Sequence, residues 1–251
     1  MAASAQEVAR GWLLPVVIGF PTVTRADILP ESAAASAYDA DCRRCDRLAA
    51  FLDRVRAANP GYFCRPVPPF GAADAALVIV GLAPGMHGAN ASGRPFTGDH
   101  AGILLYATLH AYGFASQPTG ASRGDGLALV DCRITNAVKC LPPDNKPAPA
   151  EIRACNGYLA ADLSRVPEGG AILALGRIAH DATLSALRIK RSALAFAHGA
   201  RHDLPRGIAL FASYHCSRYN TNTGRLTETM FAAVLEAIAS HLGREGTRRA
   251  A

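Results

Sequence analysis

The sequence predicts an α/β fold, a three-layer α/β/α sandwich with a central, mostly parallel four-stranded sheet. Short apolar runs of β character alternate along the chain with longer segments of helical period, which is the pattern expected when helices cover both faces of such a sheet. With 251 residues, 50% of them hydrophobic, the chain can bury one sizeable core, and nothing in its composition requires a second domain. We therefore expect a single domain over residues 1–251, with a frayed basic tail from about residue 243.

The apolar runs that are short enough for buried strands predict strands at Ala76–Gly81, Leu127–Thr135, Ala171–Leu175 and Ile208–Tyr214. The longer segments of helical period predict helices at Ala40–Ala57, Gly102–Tyr112, Pro149–Ser164, Ile178–Leu187 and Leu226–Leu242. In sheets of this kind, ligands gather beyond the carboxyl ends of the strands. The motifs with chemical interest follow these strands or lie close to their ends, so we expect the functional site at that edge.

The composition indicates a soluble, cytoplasmic protein with no membrane association. The apolar stretch Trp12–Val23 follows Arg10 like the core of a signal peptide, but it contains Pro15 and Pro21 and lacks a clean small-residue cleavage site. We interpret it as a packed N-terminal segment. No run approaches the ~20 apolar residues that a membrane span requires. The net charge of +6 favours a polyanionic partner, although many ordinary basic proteins share it.

The seven cysteines are too many for casual core filling, and their odd number argues against a fully paired secreted framework. Cys42 and Cys45 form a C-x-x-C at the start of the first predicted helix, whereas Cys140 lies in a proline-rich loop and Cys155 on a helix. Four thiolates can hold either a [4Fe–4S] cluster or a zinc ion, and the spacing alone does not choose between them. The other cysteines are interpreted as buried small apolar residues, namely Cys64, Cys132 and Cys216.

Three motifs border the predicted strands and helices. G-L-A-P-G-M-H-G at Gly81–Gly88 follows a strand, and G-R-P-F-T-G-D at Gly93–Asp99 precedes a helix. Glycine-rich turns let the backbone approach a ligand and offer amide donors, although one such turn alone means little. The third motif, S-Y-H-C-S-R-Y-N-T-N-T-G-R-L-T at Ser213–Thr227, begins at the end of another strand. The combination is far more specific than any one motif.

The cysteines and their neighbours resemble the cluster-ligand pattern of family-4 and family-5 uracil-DNA glycosylases. The match consists of the C-x-x-C, of I-T-N-A-V-K-C at Ile134–Cys140 and of E-I-R-A-C at Glu151–Cys155. The resemblance implies a [4Fe–4S] cluster that is structural, pins the first helix and the Pro142–Pro149 loop to the sheet, and takes no part in the chemistry. Its implied ligands are Cys42, Cys45, Cys140 and Cys155.

The glycine-rich motifs resemble motif A of the family-5 (type-b) enzymes, in which no carboxylate follows the first glycine; Leu82 stands at that position here. Ser213–Thr227 resembles the second motif of the family, H-P-S followed by N-x-x-T-G-R-L. Cys216 stands where the family has proline. The lack of proline removes a restraint on φ in the loop that aims His215. The matching segments span about three quarters of the chain.

The resemblance implies a monofunctional DNA repair glycosylase whose partner is damaged DNA. Such an enzyme flips uracil, and other deaminated bases such as hypoxanthine and xanthine, out of DNA and hydrolyses the N-glycosidic bond, which leaves an abasic site. We expect a monomer. A family-4-like enzyme restricted to uracil is an alternative that Leu82 argues against. A non-catalytic Fe–S or zinc protein that binds DNA or senses redox state is another, but it would not predict the motifs at the strand ends.

Two residues are predicted to carry the chemistry. His215 is expected to donate a hydrogen bond to the departing base, beside backbone amides around Leu82 and Ala83. Asp99 is expected to hold the water and to balance the positive charge that grows on the sugar. Each has a structural alternative, because a histidine at a strand end is often a satisfied structural residue and an aspartate after glycine is a common helix N-cap.

The predicted substrate pocket comprises Gly81, Leu82, Ala83, Phe96 and Asn136. Phe96 is expected to stack on the extruded base, although a phenylalanine before a helix is more often a core residue. Asn136 offers a donor and an acceptor for the Watson–Crick edge of uracil, although an asparagine after a strand also caps turns.

Further residues are predicted to contact the DNA around the extruded base. Ser217, Arg225 and Lys146 are candidates for phosphate contacts. Leu226 or Tyr219 is expected to act as the wedge that remains in the base stack. No metal or nucleotide cofactor is expected to act in the chemistry itself.

Overall fold

The computed structural model describes residues 38–244, so the predictions for Trp12–Val23 and for the tail beyond residue 244 lie outside the described residues. Its strands are β1 (Phe70–Gly71), β2 (Leu77–Gly81), β3 (Cys132–Asn136), β4 (Ala171–Leu175), β5 (Arg201–Asp203) and β6 (Ala209–Ser213). Its α-helices are α1 (Asp46–Ala58), α2 (Ala89–Ser92), α3 (His100–Ala111), α4 (Pro149–Leu163), α5 (Arg177–Ala186), α6 (Arg218–Asn222) and α7 (Glu228–His241). None of these helices is long and apolar enough to cross a membrane.

The strands form one sheet in the order β1-β3-β2-β4-β6-β5. The four central strands run parallel, and β1 and β5 pair antiparallel at the two edges. The predicted fold class is confirmed, and the four predicted strands are the parallel centre. Both edge strands were missed, because β1 has two residues and β5 is polar and largely exposed. Neither carries the apolar run by which a buried strand is recognised.

Two apolar clusters, one on each face of the sheet, build the core. Along β2, Leu77 and Ile79 belong to one cluster and Val78 and Val80 to the other, as expected where successive side chains point to opposite faces. The first cluster includes residues of α3 and α7, and the second includes residues of α4 and α5. The helices therefore cover both faces, which gives the three predicted layers.

The strand register brings four strand ends to one edge of the sheet. Gly81 pairs with Asn136 at the ends of β2 and β3, and Leu175 pairs with Ser213 at the ends of β4 and β6. Because the strands are parallel, the segments that follow them also meet at this edge. The glycine-rich motifs and the Ser213–Thr227 motif are both placed there.

The two largest differences between predicted and observed element boundaries lie where the backbone interrupts the apolar pattern. Helix α1 begins only at Asp46, because Cys45 is extended and stands at the N-cap. Strand β3 begins only at Cys132, because Asp131 lies in the left-handed region with φ 49°. In both cases the residues excluded from the element form the loop that precedes it.

Candidate functional site

Gly81, Asn136 and Phe96 lie in close contact beyond the ends of β2 and β3. A Cβ added at Gly81 would stand 2.4 Å from Asn136 Oδ1 and 2.9 Å from the Phe96 ring. Only glycine therefore leaves room between the amide and the ring. Both side chains are shielded from bulk water, because Asn136 is 4% and Phe96 6% exposed. A planar ligand on this ring would stand beside an amide that can both donate and accept.

His215 stands next to Phe96 although the two residues come from different motifs. Their rings are stacked, with centroids 5.9 Å apart and planes inclined by 27°. The carbonyl of His215, just after β6, accepts a hydrogen bond of 2.8 Å from the Asn220 side chain. No described residue hydrogen-bonds its ring nitrogens, so they are available to a ligand.

The imidazole of His215 is neutral at physiological pH. The residue is partly buried, and burial of its ring lowers the pKa of His215 to about 4. A neutral imidazole has one N–H donor and one acceptor nitrogen. The residue can therefore donate a hydrogen bond to a ligand without carrying a charge.

Asp99 occupies the N-cap position of α3, but its carboxylate does not cap that helix. Instead, Oδ2 accepts a hydrogen bond of 3.1 Å from the backbone N–H of Ala89. The carboxylate lies against the glycine-rich turn, since a Cβ at Gly88 would fall 1.8 Å from Oδ1. Burial raises the pKa of Asp99, and the Ala89 hydrogen bond and the charge of His87 oppose that rise. The side chain is thus turned toward the motif and not along its own helix.

Leu82 and Ala83 connect the strand-end site to the cysteines. The Leu82 carbonyl accepts a hydrogen bond of 3.0 Å from the N–H of Val138, in the loop that carries Cys140. Ala83 packs against the apolar cluster that contains the cysteines. The backbone of this segment therefore has a fixed position relative to both.

The four predicted cluster ligands come together although they are distant in sequence. Cys42, Cys45, Cys140 and Cys155 line one cavity between the start of α1, the loop after β3, and α4. Burial, and next the neighbouring cysteines, raise the pKa of Cys140 to about 12. Four thiolates at these positions would repel one another unless a positive charge lay between them. Within residues 38–244, no group of three or more His, Cys, Asp or Glu side chains forms a site for a single metal ion.

Polar contacts hold the elements around this cavity together. The backbone N–H of Lys139 donates to Cys155 Sγ at 3.3 Å, and its buried ammonium pairs with Asp162 on α4 at 3.1 Å. Arg47 on α1 donates two hydrogen bonds of 2.7 Å to the carboxylate of Glu151 on α4. Helix α1 and the loop after β3 are thus both tied to α4.

The other three cysteines are fully buried, as predicted: Cys64, Cys132 and Cys216 are each 0% exposed. Burial raises the pKa of Cys132 and of Cys216 above the ordinary thiol value. Cys216 belongs to the core cluster under α7. Packing therefore anchors the residue that follows His215, where the family has proline.

A cavity of about 340 Å³ adjoins His215 on the side of β4 and β6. Arg177 and Arg225 line it, with their guanidinium groups 5.2 Å from the Phe196 ring and 4.7 Å from the Tyr214 ring, respectively. Neither arginine has a carboxylate partner among the described residues. Arg177, Phe196 and Tyr214 were missed in the sequence, although the position of Arg177, just after a predicted strand, is a usable signal.

The structure corrects one of the predicted DNA contacts. Leu226 is 1% exposed and belongs to the core, so the prediction that it contacts DNA or acts as a wedge is wrong. The alternative, Tyr219 on α6, is 69% exposed. Lys146 is exposed in the loop after β3. Ser217 caps α6 and accepts a hydrogen bond of 3.4 Å from the Asn220 N–H.

The part of the chain that carries the sheet and the site motifs matches known proteins. A family model described as the uracil DNA glycosylase superfamily matches residues 68–239. A type-5 uracil-DNA glycosylase of Thermus thermophilus is 48% identical over 199 residues, which cover 77% of this chain and 90% of that protein. A type-5 uracil-DNA glycosylase of Pyrobaculum aerophilum is 40% identical, with 81% and 90% covered.

A type-4 uracil-DNA glycosylase of Archaeoglobus fulgidus is 29% identical over 178 residues, which cover 69% of this chain and 75% of that protein. The similarity to type-5 members is thus greater in both identity and coverage. The family match spans the strands, the glycine-rich motifs and the histidine motif. The chain belongs to the uracil-DNA glycosylase superfamily and groups with its type-5 members.

Proposed function

We propose that this chain is a DNA repair enzyme that flips uracil out of DNA and hydrolyses its N-glycosidic bond, leaving an abasic site. The observation that carries the proposal is the convergence of Phe96, Asn136 and His215 around Gly81 at one edge of the sheet. Asp99 lies against Gly88 of the same glycine-rich motif. Three of these side chains stand in direct contact with one another or with the position of a Gly81 side chain. The relatives that are named uracil-DNA glycosylases support the same activity.

The pocket is proposed to bind an extruded base by its face and its edge. Phe96 supplies a ring on which a planar base stacks. Asn136 supplies a donor and an acceptor, which match the Watson–Crick edge of uracil. Gly81 lets both side chains approach its backbone closely, because a Cβ there would clash with each of them. We further propose that hypoxanthine and xanthine are accepted, since stacking on a ring selects for a planar shape more than for one base.

The bond is proposed to break with charge developing at two places. The base leaves as an anion, and His215 donates a hydrogen bond to it, beside backbone amides of Leu82 and Ala83. The sugar becomes cationic, and the Asp99 carboxylate faces it and holds the attacking water. Of the two carboxylate oxygens, Oδ2 accepts the hydrogen bond from the Ala89 N–H. Oδ1 accepts none among the described residues and is proposed to hold the water.

We propose that Cys42, Cys45, Cys140 and Cys155 hold a [4Fe–4S] cluster. They line one cavity, where four cysteine thiolates can hold either a zinc ion or a cluster. The resemblance of the ligand pattern to that of family-4 and family-5 enzymes favours the cluster, which would supply positive charge between the thiolates. When bound, the cluster would supply folding energy and no chemistry. Through these four cysteines, it would hold α1 and the loop after β3 against α4.

A direct test is to incubate the protein with oligonucleotides that carry one uracil or one hypoxanthine, in EDTA, and then to cleave abasic sites with alkali. We expect strand scission at the modified position and none in the matched cytosine or adenine strand. EDTA excludes an added divalent ion from the reaction. Binding without scission would favour the alternative function, a non-catalytic Fe–S or zinc protein that binds DNA or senses redox state.

Anaerobically purified protein is expected to be brown and to contain iron and acid-labile sulfide. The Cys140→Ala variant should lose the iron and become less soluble and less stable, because a structural site contributes folding energy. Cys132→Ala is the matched control, since Cys132 is buried in β3 away from the cavity and should keep the iron. Zinc without iron in the wild type, or full folding and activity of Cys140→Ala, would contradict the proposed cluster.

Lys146 and Arg225 are expected to contribute affinity for DNA that depends on salt, because neutralising phosphates releases counterions. Replacing either residue by alanine should lower the slope of log affinity against log salt by about one unit. Exposed Arg165, just after α4 at the opposite edge of the sheet, supplies a matched control. Equal slopes for Arg225→Ala and Arg165→Ala would remove Arg225 from the proposed DNA surface.

A further inference from the structure

The turn that carries Phe96 is held by an almost fully buried ion pair. The guanidinium of Arg94 donates two hydrogen bonds to the carboxylate of Asp125, Nη1 to Oδ1 at 2.9 Å and Nη2 to Oδ2 at 2.8 Å. The two side chains are 5% and 14% exposed. Such a two-point contact fixes the orientation of both groups as well as their distance.

Asp125 also organises the loop from which it comes. Its carboxylate accepts backbone N–H hydrogen bonds from Ala121 at 2.8 Å, Ser122 at 3.1 Å and Leu127 at 3.0 Å. The Arg94 hydrogen bonds, together with these backbone hydrogen bonds, hold the pKa of Asp125 well below its usual range. One ionised carboxylate therefore ties residues 121–127 to Arg94.

The ion pair reaches the proposed site through Thr97. Nε of Arg94 donates to Thr97 Oγ1 at 2.6 Å, and the Gly98 N–H donates to the Gly120 carbonyl at 3.0 Å. Thr97 is 0% exposed and lies between Phe96 and Gly98, which both have positive φ, 54° and 73°. A left-handed phenylalanine persists only where its surroundings hold it. The turn between Phe96 and Asp99 is therefore held from the 121–127 loop.

We infer that Arg94 and Asp125 are positioning residues for the proposed glycosylase reaction: they fix the turn that presents Phe96 to the extruded base and Asp99 to the sugar. The inference rests on the proposed function. Both residues would act through Thr97 and the backbone of the turn, because Arg94 and Asp125 are bonded to each other and Arg94 to Thr97. A displacement of this turn by a fraction of an ångström misplaces the stacking ring and the carboxylate together, because they are three residues apart on one rigid segment.

The experiment compares Asp125→Asn and Thr97→Val with the wild type. Asp125→Asn keeps the shape but puts an amide against the guanidinium. Thr97→Val removes the contact between Arg94 and the turn, together with the hydrogen bond from the Thr97 hydroxyl to the Pro95 carbonyl. Single-turnover cleavage of uracil should fall by about tenfold to a hundredfold in both variants, with little change in DNA affinity. Thr97→Val leaves the ion pair intact, so it reports on positioning even if Asp125→Asn folds poorly.

The pH dependence distinguishes positioning from a mere loss of stability. Burial raises the pKa of Asp99, and among the described residues His87 is the titratable neighbour that opposes this rise. A loosened turn admits water to Asp99, so the acid limb of the cleavage rate should move to lower pH in Asp125→Asn. Val234→Ala on α7, a core variant chosen to lower the melting temperature, should leave that limb in place. Asp203→Asn, in an exposed ion pair on β5, should change neither property.

An unchanged rate and acid limb in both Asp125→Asn and Thr97→Val, with only lower melting temperatures, would overturn the inference. So would an equal shift of the acid limb in Val234→Ala. Fluorescence of a 2-aminopurine placed next to uracil reports base flipping without cleavage, and its amplitude should fall in both test variants. A wild type that flips the base but does not cleave would contradict the proposed function, while the flipping signal still tests the positioning role.

Discussion

Replacing His215 by alanine is expected to slow single-turnover cleavage of uracil in DNA by about a hundredfold or more, while DNA affinity changes little. The residue stands beside the stacking ring of Phe96 with its ring nitrogens available to a ligand. Negative charge appears on the base only as the bond breaks, so a donor aimed at it stabilises the transition state more than the ground state. The measurement is a rapid-quench time course with enzyme in excess.

The low pKa of His215 makes this prediction more specific. With a pKa of about 4, the imidazole donates as a neutral group across the physiological range, so the cleavage rate should show no limb from its ionisation near neutral pH. His110→Ala, on the last turn of α3, is the matched control and should cleave normally. A His215→Ala variant that binds DNA weakly in proportion to its slower cleavage would instead assign the residue to binding.

The effect of His215→Ala should also depend on the base. Hypoxanthine leaves through different ring atoms from uracil, so a donor placed for a uracil oxygen matters less for it. We expect a smaller loss on hypoxanthine than on uracil. Equal losses on the two bases would remove the proposed role from His215.

The parallel centre of the fold was predictable because its strands are buried on both faces. A buried strand such as Leu77–Gly81 has apolar side chains at successive positions, and this run is visible in the sequence. An edge strand such as Arg201–Asp203 keeps polar side chains in water and has no such run. Strand β5 forms only by pairing with β6 in the folded protein, and this tertiary contact is not visible in the sequence.

The sequence was enough to predict which motifs form the site, but not the directions in which their side chains point. Sequence alone left open whether the Asp99 side chain caps α3, and in the structure it accepts a hydrogen bond from the Ala89 N–H instead. Leu226 was a candidate for the wedge, yet it directly precedes the Thr227 cap of α7 and is buried in the core. The contacts of both side chains depend on how helices and strands pack together and not on the pattern of neighbouring residues in the sequence.

The Arg94–Asp125 pair had no signal in the sequence for a related reason. The two residues lie 31 positions apart, one in a motif and the other in a loop of glycine and polar residues. Neither position follows a helical or strand period that would indicate a partner. Only the folded loop, with three backbone amides on one carboxylate, brings them together.

Replacing Asp99 by asparagine is expected to slow cleavage by about a hundredfold or more on uracil and on hypoxanthine alike. The amide keeps the shape of the carboxylate and can still accept the Ala89 hydrogen bond, but it carries no charge. The growing cation on the sugar is common to both substrates, so the loss should be common too. Asp99→Glu, which keeps the charge but displaces it, should retain more activity than Asp99→Asn only if charge matters more than position.

The pH profile gives an independent test of Asp99. Burial raises its pKa, and the group acts when ionised, so wild-type activity should be complete above that raised pKa and be lost as the pH falls through it. In Asp99→Asn this acid limb should disappear, leaving a low rate that is flat with pH down to the pKa of His215, about 4. A limb that persists unchanged in Asp99→Asn would assign it to another group, and a loss confined to uracil would place Asp99 against the base. Loss of the limb together with equal losses on both bases would place the carboxylate at the sugar, the part of the transition state that the two substrates share.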